Sequence, residues 1–316
     1  MISSPPDQPA SPGNGIPQTL QAGLLKDGRL HLQNGPIDLI IGALGEPEEL
    51  RKAYMQAYDG FDGLLEALAD DFESLSRPIT SEPRSKCGVG DRMINAVSHF
   101  SEDHFVTPMA AVAGAVADTV LSVMVTGRHL KRAYVNNGGD IALHIADGEE
   151  MTVGVVPQVE ALVPQGAIKI SASMGARGVA TSGWSGRSMS LGIADAVTVL
   201  AESAAAADAA ATLIANDVDL DHPAIERARA NTLVEGSDLG DLLVTTAVGA
   251  LTENEVSEAL ASGEETAQEF LDSGVIIGAF LIKDRQMRIV GDVRHCLQSM
   301  AGNDRVGRGI EEGIVQ

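Results

Sequence analysis

Three short stretches hold residue types and spacings suited to chemistry. The first is Ala207-Asp208-Ala209-Ala210-Ala211-Thr212. Residues four apart share one face of a helix, so Asp208 and Thr212 would lie side by side. A carboxylate and a hydroxyl are hard oxygen donors. Magnesium takes one or two such protein ligands and fills its octahedron with water and substrate phosphate. A solvated aspartate beside a threonine that bonds back to a carbonyl would use the same spacing. The setting is unusual, because eight of the twelve residues from Ala201 to Thr212 are alanine. Such a helix suits close packing, and an aspartate in it is conspicuous.

The second stretch is Asn136-Asn137-Gly138-Gly139-Asp140. Adjacent glycines let backbone N–H groups approach a ligand closely, although an ordinary Asn-Gly hairpin turn explains the same residues. The third runs Ala180-Thr181-Ser182-Gly183-Trp184-Ser185-Gly186-Arg187-Ser188. Its hydroxyls, glycines and Arg187 suit an anion cradle, and Trp184 suits stacking on an aromatic ligand. A flexible polar loop has the same composition. The order of a P-loop is absent, as is GxGxxG.

Other chemistries fall away. No two histidines stand as HxxxH, and His144 falls in an expected strand, where a structural role suits it. The two cysteines, Cys87 and Cys296, form no CxxC pair, and Cys87 reads as an inert thiol. With 22 basic against 44 acidic residues the formal charge is −22. That balance counts against nucleic acid and anionic membranes as partners, both of which need a basic footprint. It also requires that a phosphate-bearing ligand be neutralised by something other than bulk protein charge. The start lacks the basic and apolar regions of a signal peptide. The longest apolar stretch, Phe105 to Ala117, is broken by Asp118 and reads as too short for a bilayer span. A cytoplasmic location is expected.

The elements that would position these residues follow from pattern. Residues 1–20 read as a disordered tail and 301–316 as a polar one, with a single domain between, at 21–300. Arg29 to Gln33, Asn34-Gly35 and Ile37 to Ile41 read as a hairpin with a type I′ turn. Pro47 to Leu75 is helical in period, with Gly60 and Gly63 as interruptions, and Met109 to Val125 is a buried helix. Arg132 to Val135 and Ile141 to Ala146 form a second hairpin, followed by strands at Met151 to Val156 and Ala167 to Ser171. Met174 to Gly192 has no clear period. Ala196 to Leu200 is a strand, and Ser203 caps an alanine-rich helix to about Ala215. Pro223 to Leu233 reads as a helix and Leu242 to Val248 as a strand. Capping boxes at Thr252/Glu255 and Ser262/Glu265 start two helices. Val275 to Ile282 and Met287 to Val290 close with a hairpin. The class is α+β (mixed α/β), with sheets and packed alanine-rich helices.

Six segments carry a resemblance in their shared order. They are Gln33-Asn34-Gly35-Pro36-Ile37-Asp38-Leu39, Thr107-Pro108-Met109-Ala110-Ala111-Val112-Ala113-Gly114, Asn136-Asn137-Gly138-Gly139-Asp140-Ile141, Ala180-Thr181-Ser182-Gly183, Gly192-Ile193-Ala194-Asp195-Ala196-Val197-Thr198-Val199, and the Asp208/Thr212 run. Over roughly Gln33 to Gly291 the chain resembles the ApbE-like superfamily of FAD:protein FMN transferases, and most closely its uncharacterised prokaryotic branch. The resemblance implies an ApbE-like fold with a ligand cleft between two lobes. It implies Mg²⁺ held by Asp208 and Thr212 beside the pyrophosphate of FAD. Gly114, Asn137, Gly138, Gly139, Asp140, Thr181, Ser182, Gly183 and Arg187 would bind FAD or FMN, and Asp195 would serve as a base or as an acid supporting the metal site. A divalent ion would also answer the charge problem. Two departures bear on activity. Ala113 stands where the transferases carry a lysine before the glycine, and no residue from Arg187 to Gly192 is their histidine. The implied activities are Mg-dependent transfer of FMN to an acceptor protein or hydrolysis of FAD. The alternatives are a flavin-dependent reductase and a non-flavin small-molecule enzyme reusing the fold.

Overall fold

Alternation along the strands decides the layering. In the computed structural model, residues 20–79, 84–100, 104–155, 166–186, 188–299 and 314–315 are described. The tails read from composition lie outside them, apart from Leu20 and Ile314-Val315.

The chain opens with β1 (Gln21–Leu24), β2 (Leu30–Asn34) and β3 (Ile37–Gly45), followed by α1 (Pro47–Phe61), α2 (Leu64–Leu75) and α3 (Gly88–Ser98). A 3₁₀ turn at Pro108–Ala111 leads into α4 (Val112–Val125). Then come β4 (Leu130–Asn137), β5 (Asp140–Ile145), β6 (Glu150–Val155), β7 (Gly166–Ser171), β8 (Gly178–Ser182), β9 (Ala196–Ala201) and α5 (Ala204–Asp217). The rest is β10 (Ile225–Arg229), α6 (Ala230–Leu233), β11 (Leu243–Val248), α7 (Glu253–Asp272), β12 (Gly278–Lys283), β13 (Gln286–Val290), β14 (Leu297–Ser299) and β15 (Ile314–Val315).

Among the described residues, nine strands form one antiparallel sheet in the order β1-β2-β3-β4-β5-β8-β9-β12-β13. A smaller sheet runs β14-β7-β6-β15, and β10 pairs with β11. Successive side chains on a strand point to opposite faces. Ala133, Val135, Ala142, Val197 and Val199 therefore face the helices, while Tyr134, Ile141, Leu143 and Leu200 face the small sheet. Covering both faces explains why every residue of β9 and β12 is buried.

Small residues let the layers close. A methyl group at Gly114 would overlap the carbonyl of Ala204, and one at Gly178 would overlap that of Ser203. So α4 meets α5, and β8 meets the start of α5, at backbone distance. The expected buried helix is present as the 3₁₀ turn and α4. Contrary to the bilayer expectation, Pro108–Val125 is long and apolar enough to span by length and composition, with Asp118 included. Half of that window is buried inside the protein.

Several elements differ from the sequence reading. The β2–β3 loop is Gly35-Pro36, since Asn34 pairs with Ile37. Type I′ needs positive φ at both loop residues, which the proline ring forbids. Gly35 alone takes it, at 58°. The long first helix breaks at Gly63, where φ is 75°, while Gly60 stays helical. Ser262 and Glu265 lie inside a continuous α7, where the capping box at Thr252 and Glu255 does form. Nothing interrupts the helix at Gly263, which packs tightly against Val218 and Leu281. Ile225–Arg229 is a strand rather than a helix, because β11 supplies its partner. Helix α3 and strand β8 were not expected.

Two glycines separate packing from flexibility. Gly178→Ala should lower stability by at least about 1–3 kcal/mol, because backbone rather than a movable side chain blocks the methyl. Gly88→Ala, with open space at the exposed start of α3, should raise stability by about 0.4–1 kcal/mol. Urea unfolding of both variants against the parent checks the contrast.

Candidate functional site

One cavity of about 1060 Å³ gathers most of the chemistry-bearing residues. It lies where the helical layer meets one end of the large sheet, with Gly154 of the small sheet also on its wall. This is the cleft the sequence implied. The β2–β3 turn contributes Pro36 and Ile37, and the β4–β5 turn contributes Asn136 through Asp140. The end of β8 contributes Thr181, Ser182 and Gly183, Asp195 precedes β9, and α5 contributes Asp208 and Thr212. Segments far apart in sequence meet because alternate strand ends of an antiparallel sheet lie on one edge.

Gly114 stands apart from this set. Gly114 is not on the cavity wall; its N–H donates to Asp208 Oδ2 at 2.9 Å. Arg187 lies outside the described residues, between Gly186 and Ser188, both of which line the cavity. Trp184 does not line it either, and its indole N–H donates to Asp195 Oδ1 at 3.2 Å.

Asp208 is thus neither simply solvated nor idle. The first turn of α4 carries N–H groups without helical partners, and Asp208 accepts from Ala113 and Gly114 there. The reverse arrangement also holds. Asp118 on α4 accepts from the N–H groups of Ala204 at 3.1 Å and Ala205 at 2.9 Å, the first turn of α5. Ser203 completes that turn by accepting from Ala206 at 3.2 Å. Each helix therefore caps the other's start.

Within α5 the side chain of Thr212 makes no hydrogen bond to another described residue. Thr119 and Thr126, by contrast, bond back to the carbonyls of Ala115 at 2.7 Å and Ser122 at 2.6 Å. The back-bonded reading of Thr212 is not what the fold adopts, so its hydroxyl is free to meet a ligand.

The β4–β5 turn is fixed from both sides. Gly139 N–H donates to Asn136 Oδ1 at 2.9 Å, and Asn137 Nδ2 donates to the Ala113 carbonyl at 3.1 Å. Gly138 and Gly139 take positive φ, at 66° and 119°. Asp140 Oδ1 accepts from the Thr181 N–H at 3.3 Å.

Asp140 and Asp208 are half-buried on the cavity wall. Removal from water pushes the Asp140 carboxyl up to about 7 despite the Thr181 N–H. The same desolvation raises Asp208 well above its ordinary value, reinforced by the charge of Asp140 and opposed by the N–H groups of Gly114 and Ala113. No lysine or arginine lines the cavity among the described residues. Its polar lining holds three aspartates, hydroxyls and glycines. Its apolar lining is built by Leu65, Leu68 and Phe72 of α2 with Met109, Val112 and Val116.

Asp195 is committed. Its Oδ1 accepts from Lys283 Nζ at 2.9 Å as well as from Trp184, and its Oδ2 accepts from the Asp284 N–H at 2.6 Å. Lys283 is buried, at 4 % side-chain exposure. This clamp joins the loop before β9 to the β12–β13 turn.

Sequence reasoning missed the apolar wall from α2, the cap supplied by Asp118, and Lys283. An aspartate within an apolar run was a visible signal for Asp118. Lys283 gave none, because its partner is 88 residues away.

Comparison with known proteins places the chain. A family model described as AbpE bacteria matches residues 22–292. A UPF0280 protein of Archaeoglobus fulgidus is 33 % identical over 236 residues, covering 72 % of this chain and 94 % of that protein. Another, from Methanothermobacter thermautotrophicus, is 38 % identical over 147 residues, covering 44 % of this chain and 56 % of its own length. Among solved structures, the flavin transferase ApbE of Vibrio cholerae aligns at 14 % identity with a TM-score of 0.42, over 86 % of this chain and 96 % of that one. The chain therefore belongs to the AbpE bacteria family and is similar to the UPF0280 protein of Archaeoglobus fulgidus.

Proposed function

We propose that this protein is a magnesium-dependent flavin-dinucleotide enzyme that cleaves the pyrophosphate of FAD. The observation that carries the reading is the pair of carboxylates, Asp140 and Asp208, raised by burial on a cavity wall that holds no described basic side chain. Two such groups ionise together only if a cation joins them. Thr212, one helical turn from Asp208, adds a hard oxygen. This donor set suits magnesium, and the ordered motifs that resemble the transferases point to the same metal.

When bound, the ion would polarise the diphosphate and offset its charge. Asp208, Asp140 and Thr212 would hold it. The backbone of Gly138, Gly139 and Gly183, with the hydroxyls of Thr181 and Ser182, would position the dinucleotide. Leu65, Leu68 and Phe72 would exclude water from an aromatic ring. The pyrophosphate P–O bond breaks when water or an acceptor-protein hydroxyl attacks the FMN phosphorus, and AMP leaves. With water the product is FMN; with a threonine hydroxyl it is an FMN ester of the acceptor.

The three donors held by Asp195 favour a second reading. A carboxylate so engaged is not free to take a proton from an attacking hydroxyl. Together with Ala113 in place of the transferases' lysine, this supports a flavin-binding protein in which transfer is lost.

Two experiments test the proposal. Purified protein with FAD and Mg²⁺ should release AMP, seen by chromatography, and Asp208→Ala should reduce the rate by at least about a hundredfold, as loss of a metal ligand does. No AMP, with FMN and FAD still bound, would leave the second reading. No AMP and no flavin binding would defeat both.

The second is pH dependence without ligand. A carboxyl raised in the folded state from 3.8 to about 7 holds a proton there that the unfolded chain has released. Stability then falls as pH rises between about 4 and 7. In EDTA, the melting temperature should drop from pH 5.5 to pH 8, and Asp140→Asn or Asp208→Asn should flatten that drop. Adding Mg²⁺ at pH 8 should restore the parent but not Asp208→Asn. An unchanged slope in both variants would remove the carboxylate pair as its cause.

A further inference from the structure

A second cluster of metal-binding side chains lies in the layer between the two sheets. The antiparallel pairing of β14 with β7 sets Leu297 opposite Ile168. That register brings together the 3₁₀ turn Ala172–Met174, which follows β7, and the turn Arg294–Cys296, which precedes β14. Cys296 Sγ lies 3.8 Å from Met174 Sδ and 3.4 Å from His295 Nε2. None of the three lines the cavity that holds Asp208.

Both spacings from Cys296 are close to those of donors around one ion. Bonds of about 2.3 Å to sulfur and about 2.1 Å to nitrogen set neighbouring donors about 3.6–3.8 Å apart at a tetrahedral centre. Cys296 Sγ stands between the two other donors, with Met174 Sδ on one side and His295 Nε2 on the other. The imidazole is also oriented as a ligand is. Nε2 faces the sulfur, while Nδ1 is 3.6 Å from Asp292 Oδ1. Metal-bound histidines commonly direct their other ring nitrogen to a carboxylate, and the exposed Asp292 lies on that side of the ring, beyond hydrogen-bond distance. Access and enclosure are divided between the residues. Cys296 is 3 % exposed, while the His295 side chain is 65 % exposed and gives an ion a route in.

We propose that Met174, His295 and Cys296 form a binding site for a soft monovalent metal ion, copper(I). Thiolate and thioether together select copper(I), whereas magnesium and calcium need oxygen. Binding displaces the thiol proton of Cys296 to solvent, with no change in oxidation state. The site is independent of the flavin reading, sharing no residue with it.

The test is an anaerobic titration of the reduced full chain with copper(I), in competition with bicinchoninate and followed by its absorbance. The parent should withdraw one equivalent from the chelator. Cys296→Ser should abolish this, and Met174→Leu, which keeps side-chain volume, should weaken it. Asp292→Asn should cost roughly tenfold to a hundredfold in affinity. Cys87→Ser should bind like the parent. Circular dichroism identifies any variant that fails to fold, and Met174→Leu then carries the test. The proposal is overturned if the parent takes no copper(I), if Met174→Leu and Cys296→Ser bind as the parent does, or if Cys87→Ser abolishes binding.

Discussion

Two helices that are not neighbours in sequence finish each other. Asp118 of α4 caps the start of α5, and Asp208 of α5 caps the start of α4. Both contacts require the helices to run close together, and Gly114 makes that possible, because any side chain there would strike Ala204. A carboxylate at a helix N-terminus is favoured by the helix dipole as well as by the N–H groups it satisfies. This exchange fixes the position of Asp208 to within a hydrogen bond, and the cavity is built around that position.

The same exchange settles how the cavity treats anions. A helix N-terminus is a common seat for phosphate. Here the first turns of both α4 and α5 are occupied by the protein's own carboxylates. Phosphate recognition therefore falls to the glycine turns and to a cation. In that light the excess of acid, −22 over the chain, has a local counterpart in three aspartates on one wall. The turn at Gly138-Gly139 is tied to the same helix start through Asn137 and the Ala113 carbonyl, so the flexible-looking part of the wall is anchored to its most rigid part.

How much of this was legible depends on the range of the interaction. Ser203 as a cap, the Thr252/Glu255 box and the apolar run of β9 are local, and the sequence displays them directly. Asp208, Asp140 and Ser182 could be grouped only through the order of motifs, because their meeting is a property of sheet topology. Ile225–Arg229 shows the limit from the other side. Its helical reading failed because β11, whose residues pair with it from 14 to 23 positions later, decides its state, and local propensity is routinely overridden in this way. Strand β8 was hidden for a related reason. Gly178 is demanded by contact with Ser203, and a glycine chosen for packing looks like a loop residue in one dimension. Helix α3 was overlooked although Val89, Met93, Ile94 and Val97 keep helical spacing and are all buried.

The two proposed metal sites are chemically orthogonal, and the fold explains why they stay separate. Oxygen donors collect at the end of the large sheet, where turns and helix starts place polar groups beside an open cavity. Sulfur donors collect in the sheet-on-sheet layer, where Cys296 packs among Ile168, Ile170 and Val293. Hard ions bind carboxylate and phosphate oxygen, soft ions bind thiolate and thioether. A soft ion gains little at Asp208, and magnesium gains nothing at Cys296. Selectivity then follows from which layer a side chain faces, and along a strand or turn that is fixed by position alone.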